Sequence, residues 1–150
     1  MGVDMEVGAD YIYVSKKDKM KPVHIKTLGY PGFPTDLQQP ITALLTQCEG
    51  ESILQETVYE NRFKNVPYLN SMGANITQKQ DTIMIKGKTK LQGKPVEATD
   101  LRAGACLVLA GLAAEGTTTI RNIGPVLRGY ENIIEKLNEI GADVKIVEEE

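Results

Sequence analysis

Tryptophan is absent from this chain, histidine occurs once and cysteine only twice. The one histidine, His24, stands between Val23 and Ile25 on an expected strand, without the clustered partners that a metal site or a catalytic triad needs. Cys48 and Cys106 fall on helix-like segments with neither metal nor redox spacing. They read as buried, reduced thiols that act as small hydrophobes. No apolar run approaches the roughly 20 residues that cross a bilayer, and no basic, then apolar, then small-residue leader opens the sequence. The expectation is a cytoplasmic protein without a membrane partner, although a chain cut at its front would have lost a leader. A net charge of −3 with no basic stripe argues against nucleic acid as the main partner. What remains is 41% hydrophobic and 25% charged over 150 residues, enough to bury one core and neither disordered nor membrane-embedded in character.

The sequence repeats. Aligning Gly50 with Gly116 sets "TDLQQPITALLTQCEG" (35–50) against "TDLRAGACLVLAGLAAEG" (99–116). An arginine follows each glycine by twelve residues, Arg62 and Arg128, and each opens a helical pattern that closes at "MGAN" (72–75) or "IGAD" (140–143). "DTIMI" (81–85) answers "DYIYV" (10–14), and "KPV" occurs at both 21–23 and 94–96. The chain itself begins "MGVD", the phrase that elsewhere closes a helix. Residues 1–14 are therefore expected to be the tail of an earlier copy, followed by two units at about 15–87 and 88–150. The whole is expected to be a C-terminal piece of something longer.

Each unit reads as strand, helix, strand, helix, strand, strand. Residues 99–114 form a helix capped by Thr99 or Asp100. Leu107, Val108, Leu109, Ala110, Leu112 and Ala113 leave it almost no polar face, so it is expected to be buried all round. Residues 117–123 read as a β-branched strand. Tyr130, Ile133, Ile134, Leu137 and Ile140 recur at helical spacing, and 141–147 read as a strand entered through a helix-ending glycine. The first copy places helices near 36–48 and 62–71 and strands near 51–58, 74–78 and 81–87. One buried and one half-buried helix per unit suggests an α/β architecture in which sheets wrap a helical centre.

The copies differ most ahead of their first helix, where the first inserts the stiff, irregular stretch "LGYPGFPT" (28–35). Added loops are often built for function, and a tolerated surface insertion is the equal alternative. Three of the four arginines, Arg62, Arg102 and Arg128, fall in or beside the first turn of an expected helix. A cation is disfavoured there by a few tenths of a kcal/mol up to about 1, unless an anion lies close by. Helix N-termini with arginines suit phosphate or carboxylate; Glu60 and Asp100 as internal ion-pair partners are the other reading. Asp36 and Asp100 occupy matching helix starts, where an N-cap is the default role. General-base work by Asp36 is compatible with that, if a hydroxyl reaches its second oxygen.

The phrases "YPGFPTDLQ", "TVYENRF", "ATDLRAGA", "LVLAGLAAEG" and "RGYENIIEKLNEIGAD" resemble the C-terminal part of the UDP-N-acetylglucosamine enolpyruvyl transferase family over essentially all 150 residues. The resemblance implies the enolpyruvyl transferase fold, an inside-out α/β barrel of repeated βαβαββ units, here a truncated domain. It implies transfer of the enolpyruvyl group of phosphoenolpyruvate to the 3-hydroxyl of UDP-N-acetylglucosamine in cytoplasmic peptidoglycan synthesis. That step serves cell wall biogenesis, cell shape, the cell cycle and division, and uses neither metal nor organic cofactor. By motif, Asp36 would bind the sugar hydroxyl as its base, and Val58 would bind the nucleotide sugar. Tyr59, where the family commonly has phenylalanine, would pack near the sugar. Asp100 would lie near the tetrahedral intermediate, with Arg102 and Arg128 on the phosphoenolpyruvate anion; Arg62 joins the substrate-binding set as the third arginine. Leu127 replaces an acidic residue that often precedes the last arginine. The family's general-acid cysteine, alkylated by fosfomycin, lies on the other domain with a key lysine and a further arginine. Neither Cys48 nor Cys106 matches its motif, so this chain by itself is expected to be inactive. Alternatives of other kinds are a 3-phosphoshikimate enolpyruvyl transferase-like enzyme, a non-catalytic nucleotide-sugar binding module, and a purely structural repeat. An unpaired sheet edge would also favour self-association.

Overall fold

In strands 50–55 and 82–87 alternate side chains are apolar or small, the period that turns one face inward. The computed structural model, which describes residues 1–16 and 19–148, pairs these two strands at the centre of its main sheet. Strand β1 (Val3–Val7) and strand β2 (Ile12–Lys16) form an antiparallel hairpin. Strand β3 (His24–Lys26) runs parallel to β4 (Gly50–Gln55), which pairs antiparallel with β6 (Thr82–Gly87); β5 (Asn75–Lys79) closes the order β3-β4-β6-β5. Leu54 faces Ile83 and Ser52 faces Ile85 in register, and all four are fully buried. A separate parallel pair joins β7 (Pro95–Glu97) to β8 (Thr119–Arg121).

The helices are α1 (Gln38–Leu45), α2 (Val66–Ser71), α3 (Leu101–Ala113), α4 (Gly124–Gly129) and α5 (Ile133–Glu139). Helix α1 packs on α3, and α3 on α4. Leu45, Leu54, Leu69, Met72, Ile83, Ile85, Leu91, Val96 and Leu107 join them to the sheet in one core. The crossover β7–α3–β8 repeats the connectivity of β3–α1–β4, parallel strands joined through a helix that packs on the core. The likeness reaches single side chains. Asn70 exchanges two hydrogen bonds of 2.9 Å with the backbone of Ile76, and Asn138 does the same with Val144 at 2.8 and 2.9 Å. Gly2, Gly73 and Gly141, the glycines of the thrice-repeated phrase, all have positive φ (78°, 105° and 99°), a conformation that a side chain disfavours.

Four expectations need correction. Residues 142–148 form no strand: Asn138 holds Val144 as Asn70 holds Ile76, but no described strand lies alongside to do for it what β6 does for β5. Helix α3 is not buried all round, since Leu109 and Leu112 are each 44% exposed. They lie on the open side of the α1–α3 pair, which no described element covers; Leu109 and Ala113 there line an apolar groove with Phe33, Leu37, Ile41 and Leu44. The helix foreseen from Arg62 onward begins at Val66, so Arg62 stands ahead of α2 and not in its first turn. The helix foreseen from Arg128 onward begins at Ile133, and Arg128 instead lies in the last turn of the separate helix α4. A cation at that end suits the helix dipole. The β1–β2 hairpin exposes Met5, Val7, Ile12, Tyr13 and Val14 by more than half each.

Candidate active site

Asp36 lies in a single 3-10 turn (Thr35–Leu37) that delivers the chain from the 28–35 insertion into α1. Leu37 occupies the N-cap position of α1 and no side chain caps it, so the expected N-cap role of Asp36 is not realised. Its carboxylate is turned instead to two arginines. Oδ1 accepts a 2.7 Å hydrogen bond from Arg102 Nε and a longer one, 3.4 Å, from Arg62 Nη1. The hydrogen bond from Arg102 outweighs the slight burial that opposes ionisation, and with the charges of both arginines it holds the Asp36 carboxyl below the usual range. Two cations against one anion leave the cluster with an excess of positive charge. The Asp36 side chain is 66% exposed whereas that of Arg62 is 16% exposed, so a seated cation presents an open carboxylate.

Each arginine is oriented by its own element. Asp100 is the N-cap of α3; its carboxylate accepts from the backbone N–H groups of Arg102 (2.8 Å) and Ala103 (3.0 Å), and it thereby aims Arg102 off the first turn. Arg62 precedes α2, stacks over the Tyr59 ring at 4.0 Å and donates to Thr35 Oγ1 at 3.2 Å. Asp36, from another part of the chain, is thus the anion beside both arginines, in place of the internal partners Glu60 and Asp100 that sequence offered. Val58 and Tyr59 are 43% and 56% exposed, their backbone N–H groups turned inward. Arg128 is exposed and joins neither Asp36 nor any other acid among the described residues in an ion pair. It lies at the end of α4 that meets the start of α3, where the neighbouring Gly129 leaves room for Leu101.

Sequence reasoning missed Glu56. It is 3% exposed and holds four hydrogen bonds, from the Thr27 and Thr35 hydroxyls at 2.8 Å each and the N–H groups of Val58 and Tyr59 at 2.9 and 3.1 Å. Burial opposes its ionisation, but the hydrogen bonds led by Val58 N–H and the two hydroxyls prevail and hold its carboxyl low. The signal was present, since Ser52, Leu54 and Glu56 share the inward phase of β4 and its continuation. Cys48 and Cys106 are buried, and burial pushes the Cys106 thiol up to about 12. Among the described residues no group of histidine, cysteine and acidic side chains could hold a metal ion, and no helix is long and apolar enough to cross a membrane.

The chemistry of this cluster is that of an ionised hydrogen-bond acceptor set in a cationic frame. The family model described as EPSP synthase (3-phosphoshikimate 1-carboxyvinyltransferase) matches residues 1–137. The chain is 56% identical over 149 residues to UDP-N-acetylglucosamine 1-carboxyvinyltransferase 1 of Streptococcus agalactiae, covering 99% of this chain and 36% of that one. It is 52% identical to UDP-N-acetylglucosamine 1-carboxyvinyltransferase 2 of Listeria innocua, over 96% of this chain and 34% of the relative. Among solved structures, the enolpyruvyl transferase NikO from Streptomyces tendae superposes with a TM-score of 0.88 at 35% identity, over 95% of this chain and 33% of that one. EPSP synthase from Acinetobacter baumannii, at 20% identity and a TM-score of 0.66, shares the fold. The chain thus spans about a third of the length of the relatives it matches. On the family model and the fold together, the chain belongs to the EPSP synthase family of enolpyruvyl transferases.

Proposed function

We propose that this chain is the C-terminal part of an enzyme that transfers enolpyruvyl from phosphoenolpyruvate to the 3-hydroxyl of UDP-N-acetylglucosamine, in the cytoplasm and for cell wall synthesis. In this reading its units divide near residues 14 and 87, and the upstream part of the enzyme packs against the open hairpin and helix faces. Self-association of the separate chain through the same faces is part of this reading. The observation that carries it is the convergence of Arg62 and Arg102 on the exposed carboxylate of Asp36, in a chain whose relatives bear that activity in their names.

The chemistry follows from charge. The sugar hydroxyl adds through oxygen to C2 of phosphoenolpyruvate, its proton passes to Asp36, and C3 gains a proton from a group outside this chain. Loss of a proton from C3 and departure of phosphate from C2 then restore the double bond. Before substrate binds, Arg102 is committed to Asp36 and keeps it a weak base. An incoming carboxylate or phosphate competes for the same guanidinium. As Arg102 turns to that anion, Asp36 loses its main stabilising partner and becomes more basic, so anion binding primes the hydroxyl acceptor. Arg128 closes on the anion from the end of α4; Asp100 holds α3 in place beside the intermediate, and Val58 and Tyr59 line the sugar side.

The test is phosphate release by the intact enzyme containing this chain. Turnover is expected with UDP-N-acetylglucosamine and phosphoenolpyruvate, a fall in kcat of about 100-fold or more on Asp36→Asn, and none from residues 1–150 alone. Turnover with shikimate 3-phosphate instead would move the chain to the other branch of its family. Binding of the nucleotide sugar without turnover in the intact protein would make it a binding module.

A further inference from the structure

Glu56 is buried away from solvent and from the arginine cluster, yet a continuous hydrogen-bond path joins them. Arg62 Nη1 donates both to Asp36 Oδ1 and to Thr35 Oγ1, and the Thr35 hydroxyl donates in turn to Glu56 Oε2. A hydroxyl has one proton and two lone pairs. Because Glu56 accepts that proton, the lone pairs of Thr35 are left for Arg62. The other carboxylate oxygen accepts from Thr27, Val58 and Tyr59, so one buried group ties the start of the 28–35 insertion, its end and the turn carrying the Tyr59 ring. Asn122, the position matching Glu56 when Gly50 is aligned with Gly116, donates to the carbonyl of Ala98 at 2.9 Å, two residues before Asp100. Both copies therefore tie the segment after their second strand to the approach of the site aspartate. Only the first uses a carboxylate whose far oxygen sets the direction of a hydroxyl.

We propose that Glu56 is a positioning residue for the site: by fixing the polarity of the Thr35 hydroxyl it holds Arg62 against Asp36. This rests on the functional reading above for its catalytic consequence, but not for its geometry. In Glu56→Gln the amide oxygen keeps the three bonds on one side. The NH₂ group then faces Thr35, which can no longer donate there and must accept from two donors at once. Thr35→Val removes the relay and Thr35→Ser keeps it. Thr27→Val removes a buried hydrogen bond to the same carboxylate on the side away from Arg62, which makes it the control for a merely structural role.

The direct measurement is carboxyl NMR titration of Asp36 in the 150-residue chain. Glu56→Gln and Thr35→Val are expected to raise its midpoint by about 0.5 as Arg62 loosens, whereas Thr35→Ser and Thr27→Val leave it in place. Should Glu56→Gln fail to fold, Thr35→Val and Thr35→Ser still decide the matter. In the intact enzyme the same two disruptive variants are expected to lower kcat about 10- to 100-fold, to combine non-additively, and to leave KM for the nucleotide sugar within about threefold. An Asp36 midpoint that Thr35→Val does not move, or moves no more than Thr27→Val does, overturns the proposal. Absence of turnover in the unaltered intact enzyme would instead overturn the functional reading, and leave the titration result to judge this one.

Discussion

Gly104 lies on the face of α3 that meets α4, and the distance between those helices depends on its having no side chain. A Cβ placed there would come within 2.3 Å of Val126 Cγ2 and 3.3 Å of Ala98 Cβ. Ordinary carbon contacts begin near 3.5 Å, so Gly104→Ala must displace Val126 by about an ångström. Val126 is 1% exposed and Ala98 fully buried, so neither can move into solvent. Overpacking of this kind costs about 1–3 kcal/mol, against about 0.5–1 kcal/mol gained from the better helix propensity of alanine. Val126→Ala by itself removes two buried methyl groups, about 1.6 kcal/mol at ~0.8 each before any cavity term. The two substitutions oppose each other in the double variant, because the new methyl at 104 occupies space that Val126 vacates. Urea unfolding of the four proteins, followed by circular dichroism, is expected to show a coupling of about 1 kcal/mol or more in favour of the double variant. Additive losses would refute the close approach of α3 to α4, and with it the placement of Arg128 near the start of the helix that carries Arg102.

Two further outcomes follow from buried groups. Glu56 has a folded-state pKa below its unfolded value near 4.3, so its contribution to stability is complete above that value and is lost as pH falls through the folded one. The stability gap between the unaltered chain and Glu56→Gln is therefore expected to narrow as pH falls below about 4.3; a gap that is constant or widens on acidification would show that the Glu56 charge is not stabilised. Burial raises the pKa of both thiols, that of Cys106 to about 12. Thiol reagent at neutral pH is thus expected to label neither cysteine in the native chain and both after unfolding, and rapid labelling of Cys106 in native protein would contradict the packing of α3.

Local signals carried much of the architecture. The repeat, the capped helix at 101–113, the positive-φ Gly73 and Gly141 behind α2 and α5, and the alternating strands are decided by residues within a few positions of one another, so the sequence alone determined them. It also marked Arg102 as a cation in need of an anion, because its place in the first turn of α3 is a local misfit; Arg62, expected at a helix start, stands four residues ahead of α2 and meets Asp36 without that misfit. Which anion met them was decided only by tertiary structure. Asp36 is 26 residues from Arg62 and 66 from Arg102, and joins them because α1 packs against α3. The role of Glu56 was likewise hidden: period-two alternation pointed it inward, but its four donors come from three separate segments. Arg128 and residues 142–148 show the reverse limit. A helical period does not say where one short helix ends and the next begins, and a β-branched stretch becomes a strand only when another strand lies beside it.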